Sequence, residues 1–216
     1  MILLFIPIVQ VGWVRFVNPS FTPLMLLRPL EARLDGKPVA KRRYEWRSDA
    51  TIPVVFLRCV IASEDQRFYQ HHGFDWREIR IAQAEAERRG RSPRGASTIT
   101  MQCARSLFLW QGRSLIRKGL EAYYTVWMEL LLSKRRILEI YANVVEMGDG
   151  IYGVEAAARA HFGVSAPALT RQQAAAIVAC FPNPRQRDPR NPSPKVVSRS
   201  RRILLEEGTI KLGRGG

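Results

Sequence analysis

The chain has 216 residues, room for one domain and a short appendage. Its 46% apolar and 25% charged residues are globular values, which exclude wholesale disorder, collagen and a multi-span membrane protein. With 34 Lys and Arg against 19 Asp and Glu the formal charge is +15, so the surface seeks anions: nucleic acid, lipid headgroups or a phosphorylated substrate. Cys59, Cys103 and Cys180 form no CxxC pair and sit in apolar stretches, which excludes a disulfide framework and a zinc finger and reads as small buried hydrophobes.

In chain order, the first segment, MILLFIPIVQVGWVRFVN, is apolar up to Arg15 and about 27 Å long as a helix, close to a bilayer core. It has no basic n-region and no Ala-x-Ala cleavage pattern, so residues 1–18 are expected to form a single transmembrane anchor. Residues 19–45 read as a proline-rich linker with Pro19, Pro23, Pro29 and Pro38 and a basic KRR run at 41–43. The stretch 46–207 then reads almost wholly as helix, one all-α domain, with 208–216 as a tail. Asp75-x-x-Glu78 and Thr170-x-x-Gln173 open helices with capping-box patterns, Ser97, Ser114 and Ser133 are candidate N-caps, and Gly163 sits where a C-cap belongs. Gly148, Gly150 and Gly153 form a turn, and His161 and Phe162 are expected at a helix end in structural roles. Trp127, Leu130 and Leu131 have the spacing of core residues.

Two carboxylates stand out. Leu57, Val60 and Ile61 form an i, i+3, i+4 stripe whose next position is Glu64. A carboxylate there is partly desolvated and a better proton acceptor near neutral pH, and Phe68, His71, His72 and Gly73 follow within two turns. The plainer alternative is a Glu that merely ends the helix. Glu121 closes a run from 88 to 118 that holds eight cations (Arg88, Arg89, Arg91, Arg94, Arg105, Arg113, Arg117, Lys118) and no acid. Arg117 and Lys118 fall beside Glu121 on a helix and keep it charged. The run flanks Gly95-Ala96-Ser97-Thr98, a small-residue loop entering a helix, where amides, hydroxyls and guanidinium groups suit phosphate. These parts suit a hydroxyl attacking a sugar whose leaving group is a lipid diphosphate, a reaction that composition alone does not require.

The runs IASEDQRFYQHHGFDW, GASTITMQCARSLFL, RSLIRKGLE and SKRRILEIYANVVEMGDGIYGVEAAARAHFG resemble the biosynthetic peptidoglycan glycosyltransferase (transglycosylase) family over roughly residues 46–184, in its monofunctional form. The resemblance implies a lysozyme-like helical fold on the periplasmic side of the cytoplasmic (inner) membrane, single-pass. It also implies polymerisation of lipid II into glycan strands for cell wall synthesis, with release of undecaprenyl diphosphate. Partners implied are lipid II, the nascent strand, the membrane and other cell-wall synthases, with no nucleic acid. Glu64 matches the family's general base, and Asp65, Phe68, His71 and Gly73 complete its motif. Ser97, Thr98 and Gln102 match the second motif, Arg113, Arg117 and Lys118 the diphosphate-binding cations, and Glu121 the second carboxylate, acting directly or through a divalent metal (Mg or Mn). Met101 and Gln102 stand where the family usually has paired glutamines, and Arg105 and Ser106 where it has lysine and asparagine. Arg105 keeps the charge, but Arg is no copy of a compact ammonium. Phe108, Leu109 and Trp110 resemble the family's membrane-dipping segment, and ordinary core packing explains them equally well. A hydrolase of the same polymer would need a protonated acid and no diphosphate site, against which the cation run argues. A basic nucleic-acid module has no use for an apolar leading helix.

Overall fold

The computed structural model describes residues 2–92, 95–112 and 114–213 and is built mainly of helices. α1 (Ile2–Phe16) leads into α2 (Pro23–Leu34), β1 (Arg43–Tyr44), α3 (Val54–Glu64) and α4 (Trp76–Arg89). α5 (Ile99–Phe108), α6 (Leu115–Leu131) and α7 (Lys134–Val144) follow, then β2 (Glu146–Gly148), β3 (Ile151–Tyr152), α8 (Gly153–Phe162), α9 (Arg171–Ala179) and α10 (Pro194–Glu206). The main core gathers Phe56 and Val60 of α3, Ile99 and Cys103 of α5, Met128 of α6, Ile137 and Tyr141 of α7 and Ala174 and Ile177 of α9. α10 packs on α9 and α3, which brings the basic C-terminal stretch onto the end of α3.

The caps show why the helices begin where they do. Ser114, Ser133 and Thr170 each accept an amide hydrogen bond from the third residue of the helix that follows, and Thr170 and Gln173 close a full capping box. Asp75 accepts the Glu78 N–H at 3.0 Å. At α5 the cap is Thr98 rather than Ser97, and that one-residue shift leaves the Ser97 hydroxyl for other partners. Gly163 ends α8 with φ +70°. Gly153 has φ +80°, and a Cβ there would lie 2.3 Å from the Asn143 carbonyl oxygen, so the turn into α8 needs glycine.

The amino-terminal segment differs from expectation. α1 has 15 residues, and no helix among the described residues is long and apolar enough to cross a membrane, so the expected transmembrane anchor is not found. Its even apolarity divides between two surroundings. Val11 and Val14 are buried in the core, where α1 lies on α6, while Phe5, Val9, Trp13 and Phe16 are exposed. Arg136 binds the end of α1, donating to the Val14 carbonyl at 2.9 Å and to Asn18 Oδ1 at 2.9 Å. The segment read as a linker contains α2 and β1: Thr22 caps α2, and Pro23 takes its first position, where proline is preorganised. Leu24 and Met25 pack with Tyr152 and Tyr44. Strands, absent from the sequence pattern, appear as a three-stranded sheet of order β1-β3-β2, too short for an alternating signal. Ile210 and Leu212 of the expected tail pack against the core. Leu130 is exposed, unlike the half-buried Trp127 and Leu131 beside it.

All three cysteines are free and buried, and burial pushes Cys59 up to about 12 and Cys180 up to about 11, so the thiols stay protonated. Glu155 is fully buried at the start of α8. Its carboxylate accepts from Arg47 at 2.8 Å, from Arg159 Nε at 2.6 Å and from the Ala166 N–H at 2.7 Å. Burial pushes the group up, but the Arg47 hydrogen bond and the Ala166 amide outweigh it and hold it below the ordinary 4.5. A lowered folded value stabilises the protein above the unfolded value and is lost as pH falls through the folded one. Glu155→Gln should therefore lower Tm at pH 7, by about 2–4 °C for each kcal/mol of pairing lost. The gap between the two melts should begin to close as pH falls through about 4.5 and disappear only below the lowered folded value; a gap that did not narrow on acidification would refute the assignment.

Candidate active site

A cleft of about 920 Å³ opens where the end of α3, the 95–98 loop, α5, the Phe181-Pro182 turn and α10 meet. Glu64 is the last residue of α3 and faces this cleft with its side chain 13% exposed. The end of the apolar stripe was expected to leave it partly desolvated, and its carboxylate is largely enclosed by polar partners. Oε1 accepts from Ser63 Oγ at 2.8 Å and from Arg199 Nη2 at 2.8 Å, and Oε2 accepts from Gln102 Nε2 at 3.1 Å. Arg199 Nη2 also donates to Ser63 Oγ at 2.8 Å.

Gln102 is itself held. Tyr141 Oη donates to its Oε1 at 3.0 Å, and the Gln102 amide N–H also reaches the Ser97 carbonyl at 3.4 Å. Tyr141 is fully buried; burial, with the Glu64 charge adding, pushes its hydroxyl far above its ordinary value, so it remains a donor. A donor on Oε1 turns the amide nitrogen toward Glu64.

Glu121, on α6, has no exposed surface. Its Oε2 accepts from Arg117 Nη1 at 2.5 Å and its Oε1 from Lys118 Nζ at 2.5 Å. Arg117 is buried too, with its Nε donating to the Gly112 carbonyl at 2.8 Å. Lys118 is only half-buried, and its ammonium also reaches Ser97 Oγ at 3.3 Å. The two carboxylates are thus joined through Gln102, Ser97 and Lys118. A cleft-facing carboxylate and a second acid buried among cations therefore stand in one connected polar network.

Residues 33–207 match the transglycosylase family. The chain belongs to that family. It is 49% identical over 186 residues to the biosynthetic peptidoglycan transglycosylase of Stutzerimonas stutzeri, an alignment covering 86% of this chain and 76% of that one. With the Pseudomonas aeruginosa protein of the same name it shares 45% over 193 residues, 89% of this chain and 82% of that one. With the Caulobacter vibrioides one it shares 42% over 206 residues, 95% and 86%. The chain is an enzyme with peptidoglycan glycosyltransferase activity.

Several residues expected to touch substrate form the scaffold of this transglycosylase. His71 Nε2 donates to both Asp65 oxygens at 2.9 and 3.0 Å, and Asp65 Oδ2 accepts the Ile99 N–H at 3.0 Å, so this pair fixes the start of α5. Phe68 is fully buried under Lys134, whose Nζ lies 4.5 Å above the ring. Gly73 has φ +86°, and a Cβ there would meet Thr125 Cγ2 at 2.6 Å; its carbonyl accepts from Thr98 Oγ1 at 2.6 Å. Asp65 and Thr98 reach the cleft wall, but with their polar atoms committed in this way. Arg105 lines the cleft, and its buried Nε has no hydrogen-bond partner among the described residues. Arg113 lies outside the described residues. Met101 is buried, so its departure from the family's glutamine leaves the cleft wall unaltered. Phe108 stacks on Tyr124 with centroids 4.5 Å apart and Leu109 is buried, whereas Trp110 is exposed: the apolar segment is divided between core and surface.

Glu121 does not fit the expected divalent metal: both its oxygens are taken by cations, and among the described residues it belongs to no group of acids, His or Cys that could hold an ion. Asp65, His71 and Asp75 do bring ligand atoms within 4.8 Å of one another. Their oxygens already serve Ile99, His71 and the cap of α4, which explains the cluster without an ion. Arg199 and Tyr141 were not singled out from the sequence. Arg199 sits in a basic run 135 residues from Glu64, and only the packing of α10 on α3 unites them.

Tyr141→Phe should lower kcat about three- to tenfold, through loss of one positioning hydrogen bond, with KM and the pH profile little changed. Steady-state polymerisation kinetics check this, and an unaltered kcat would remove Tyr141 from the positioning chain.

Proposed function

We propose that the enzyme polymerises lipid II into glycan strands with inversion, and that Glu64 is the general base. Its carboxylate takes the proton from the 4-hydroxyl of the acceptor's GlcNAc. The oxygen forms its bond to C1 of the donor's MurNAc as the bond from C1 to the diphosphate breaks, and the electron pair leaves with undecaprenyl diphosphate. Lys118, Ser97 and Arg105, with Arg113, receive the growing negative charge, and Arg117 and Glu121 hold Lys118 in place. Supporting this reading above all is the hydrogen-bonded path from the Glu64 carboxylate through Gln102 and Ser97 to Lys118. Such a path keeps base and leaving-group cradle at a constant separation, which an in-line displacement needs.

The same reading sets the enzyme on the outer face of the cytoplasmic membrane, where lipid II is presented. Exposed Phe5, Val9, Trp13 and Phe16 on α1, with Trp110, Leu115 (92% exposed) and Ile116 (75% exposed) before and at the start of α6, are suited to rest in the lipid interface.

With labelled lipid II, Glu64→Gln should lower turnover about 10²–10⁴-fold and leave KM nearly unchanged. A Glu64→Gln enzyme with near-normal turnover would end the assignment of the base. Lys118→Ala should raise KM and lower kcat together, because it removes contacts to both the bound donor and the charged transition state; an effect on neither would displace the diphosphate from this cradle.

A further inference from the structure

Glu64 lies between two positive zones, and the proposed reaction assigns the departing diphosphate only to the one at Lys118. Lys118 and Ser97 lie toward Oε2, beyond Gln102. Toward Oε1 lies Arg199, which also lines a second groove of about 490 Å³. That groove is bounded by Pro182, Arg187, Lys195, Ser198, Arg199 and Arg202, and it shares Pro182, Arg199 and Arg202 with the catalytic cleft. The groove therefore adjoins the cleft on the Oε1 side of Glu64.

Four of the six lining residues are cations and none is an acid. On α10 they follow one helical face: Lys195, Ser198, Arg199 and Arg202 are at i, i+3, i+4 and i+7, while Val196 and Ile203 turn into the core. Little nearby charge offsets them. Arg202 is 4.0 Å from Glu206, Arg187 spends one N–H on the Ala179 carbonyl at 3.3 Å, and Arg199 spends one nitrogen on Glu64 while its Nε has no partner among the described residues. No ion pair of Lys195 or Arg187 with an acid is found among the described residues. Like charges held together repel unless an anion lies between them. The groove is of the size of small-ligand pockets, larger than one phosphate needs, and its guanidinium forks match planar carboxylates.

We propose that this groove binds the carboxylates of the peptide stems borne by the glycan as it passes the catalytic cleft. The inference rests on the reading of Glu64 as the base, because that reading makes the Oε1 side the path of the peptide-bearing sugars and leaves the diphosphate to Lys118. The groove then acts as a specificity element, recognising peptide charge rather than sugar or lipid.

The experiment pairs the Arg187→Glu/Lys195→Glu double variant with two lipid-linked disaccharide substrates, one with free stem-peptide carboxylates and one with those carboxylates amidated. For the wild type, amidation should raise KM about three- to tenfold, the size of one or two ion pairs, with kcat little changed. The double variant should show that raised KM on the acidic substrate and no further loss on the amidated one. Equal losses on both substrates, or a wild type indifferent to amidation, would overturn the proposal. Arg187→Met/Lys195→Met, with a Tm matching wild type, guards against misfolding and should give a smaller KM rise of the same pattern. A soluble disaccharide peptide lacking diphosphate, titrated into the full-length protein, reads the groove independently of turnover. It should bind more weakly as salt increases and should not be displaced by inorganic pyrophosphate; displacement would assign the groove to phosphate. Near-normal turnover of Glu64→Gln would overturn the base reading and the inference resting on it, whereas an inactive Glu64→Gln beside a wild type that fails to bind this probe would overturn the groove alone.

Discussion

A carboxylate at the end of α3 is held by groups from three other helices, and the arrangement of the cleft follows from that constraint. Arg199 comes from α10, Gln102 from α5, and Tyr141 of α7 stands behind Gln102. Each oxygen of Glu64 therefore has a directional partner supplied by another helix. A cleft side chain of this kind is preorganised by packing, which is how a site tolerates exposure to water without losing its geometry.

The second carboxylate illustrates the opposite use of charge. Glu121 is wholly buried, and a buried acid is tolerated only with its hydrogen-bonding capacity filled. Arg117 and Lys118 fill it, and Lys118 keeps enough exposure to serve a ligand as well. Lys118, one of the two cations that neutralise Glu121, thus also carries positive charge to Ser97 on the cleft wall. Asp65, His71, Thr98 and Gly73 do comparable work for the backbone: two motifs distant in sequence are tied so that α5, with Ser97 before it and Gln102 in its second turn, starts at a set position.

Much of the site was legible from local pattern. The i, i+3, i+4 stripe placed Glu64 at a helix end facing a boundary, and the i−3 and i−4 cations predicted the partners of Glu121, because both relations lie within one helix. Less legible were roles that turn on what lies across a gap. Phe68, His71 and Gly73 carry the family motif, yet they are buried, since a motif records which residues occur together and not whether they face substrate or each other. The apolar α1 misled in a similar way: hydrophobicity on every face suits lipid, but one face here lies on α6. Prolines at 23 and 29 suggested a linker, whereas Pro23 begins a helix.

By itself the sequence determined a helical enzyme of this family, the caps that start its helices, the two carboxylates, and the cations nearest Glu121, all of which depend on local spacings or on runs of side chains. Only tertiary structure decided that Arg199 clamps Glu64, that Tyr141 orients Gln102, and that a basic face of α10 continues the cleft. Those relations bridge 135, 39 and more residues and depend on helix packing angles that no local pattern encodes. Burial energy brings such helices together, and the polar groups that meet between them acquire partners the chain order never hints at.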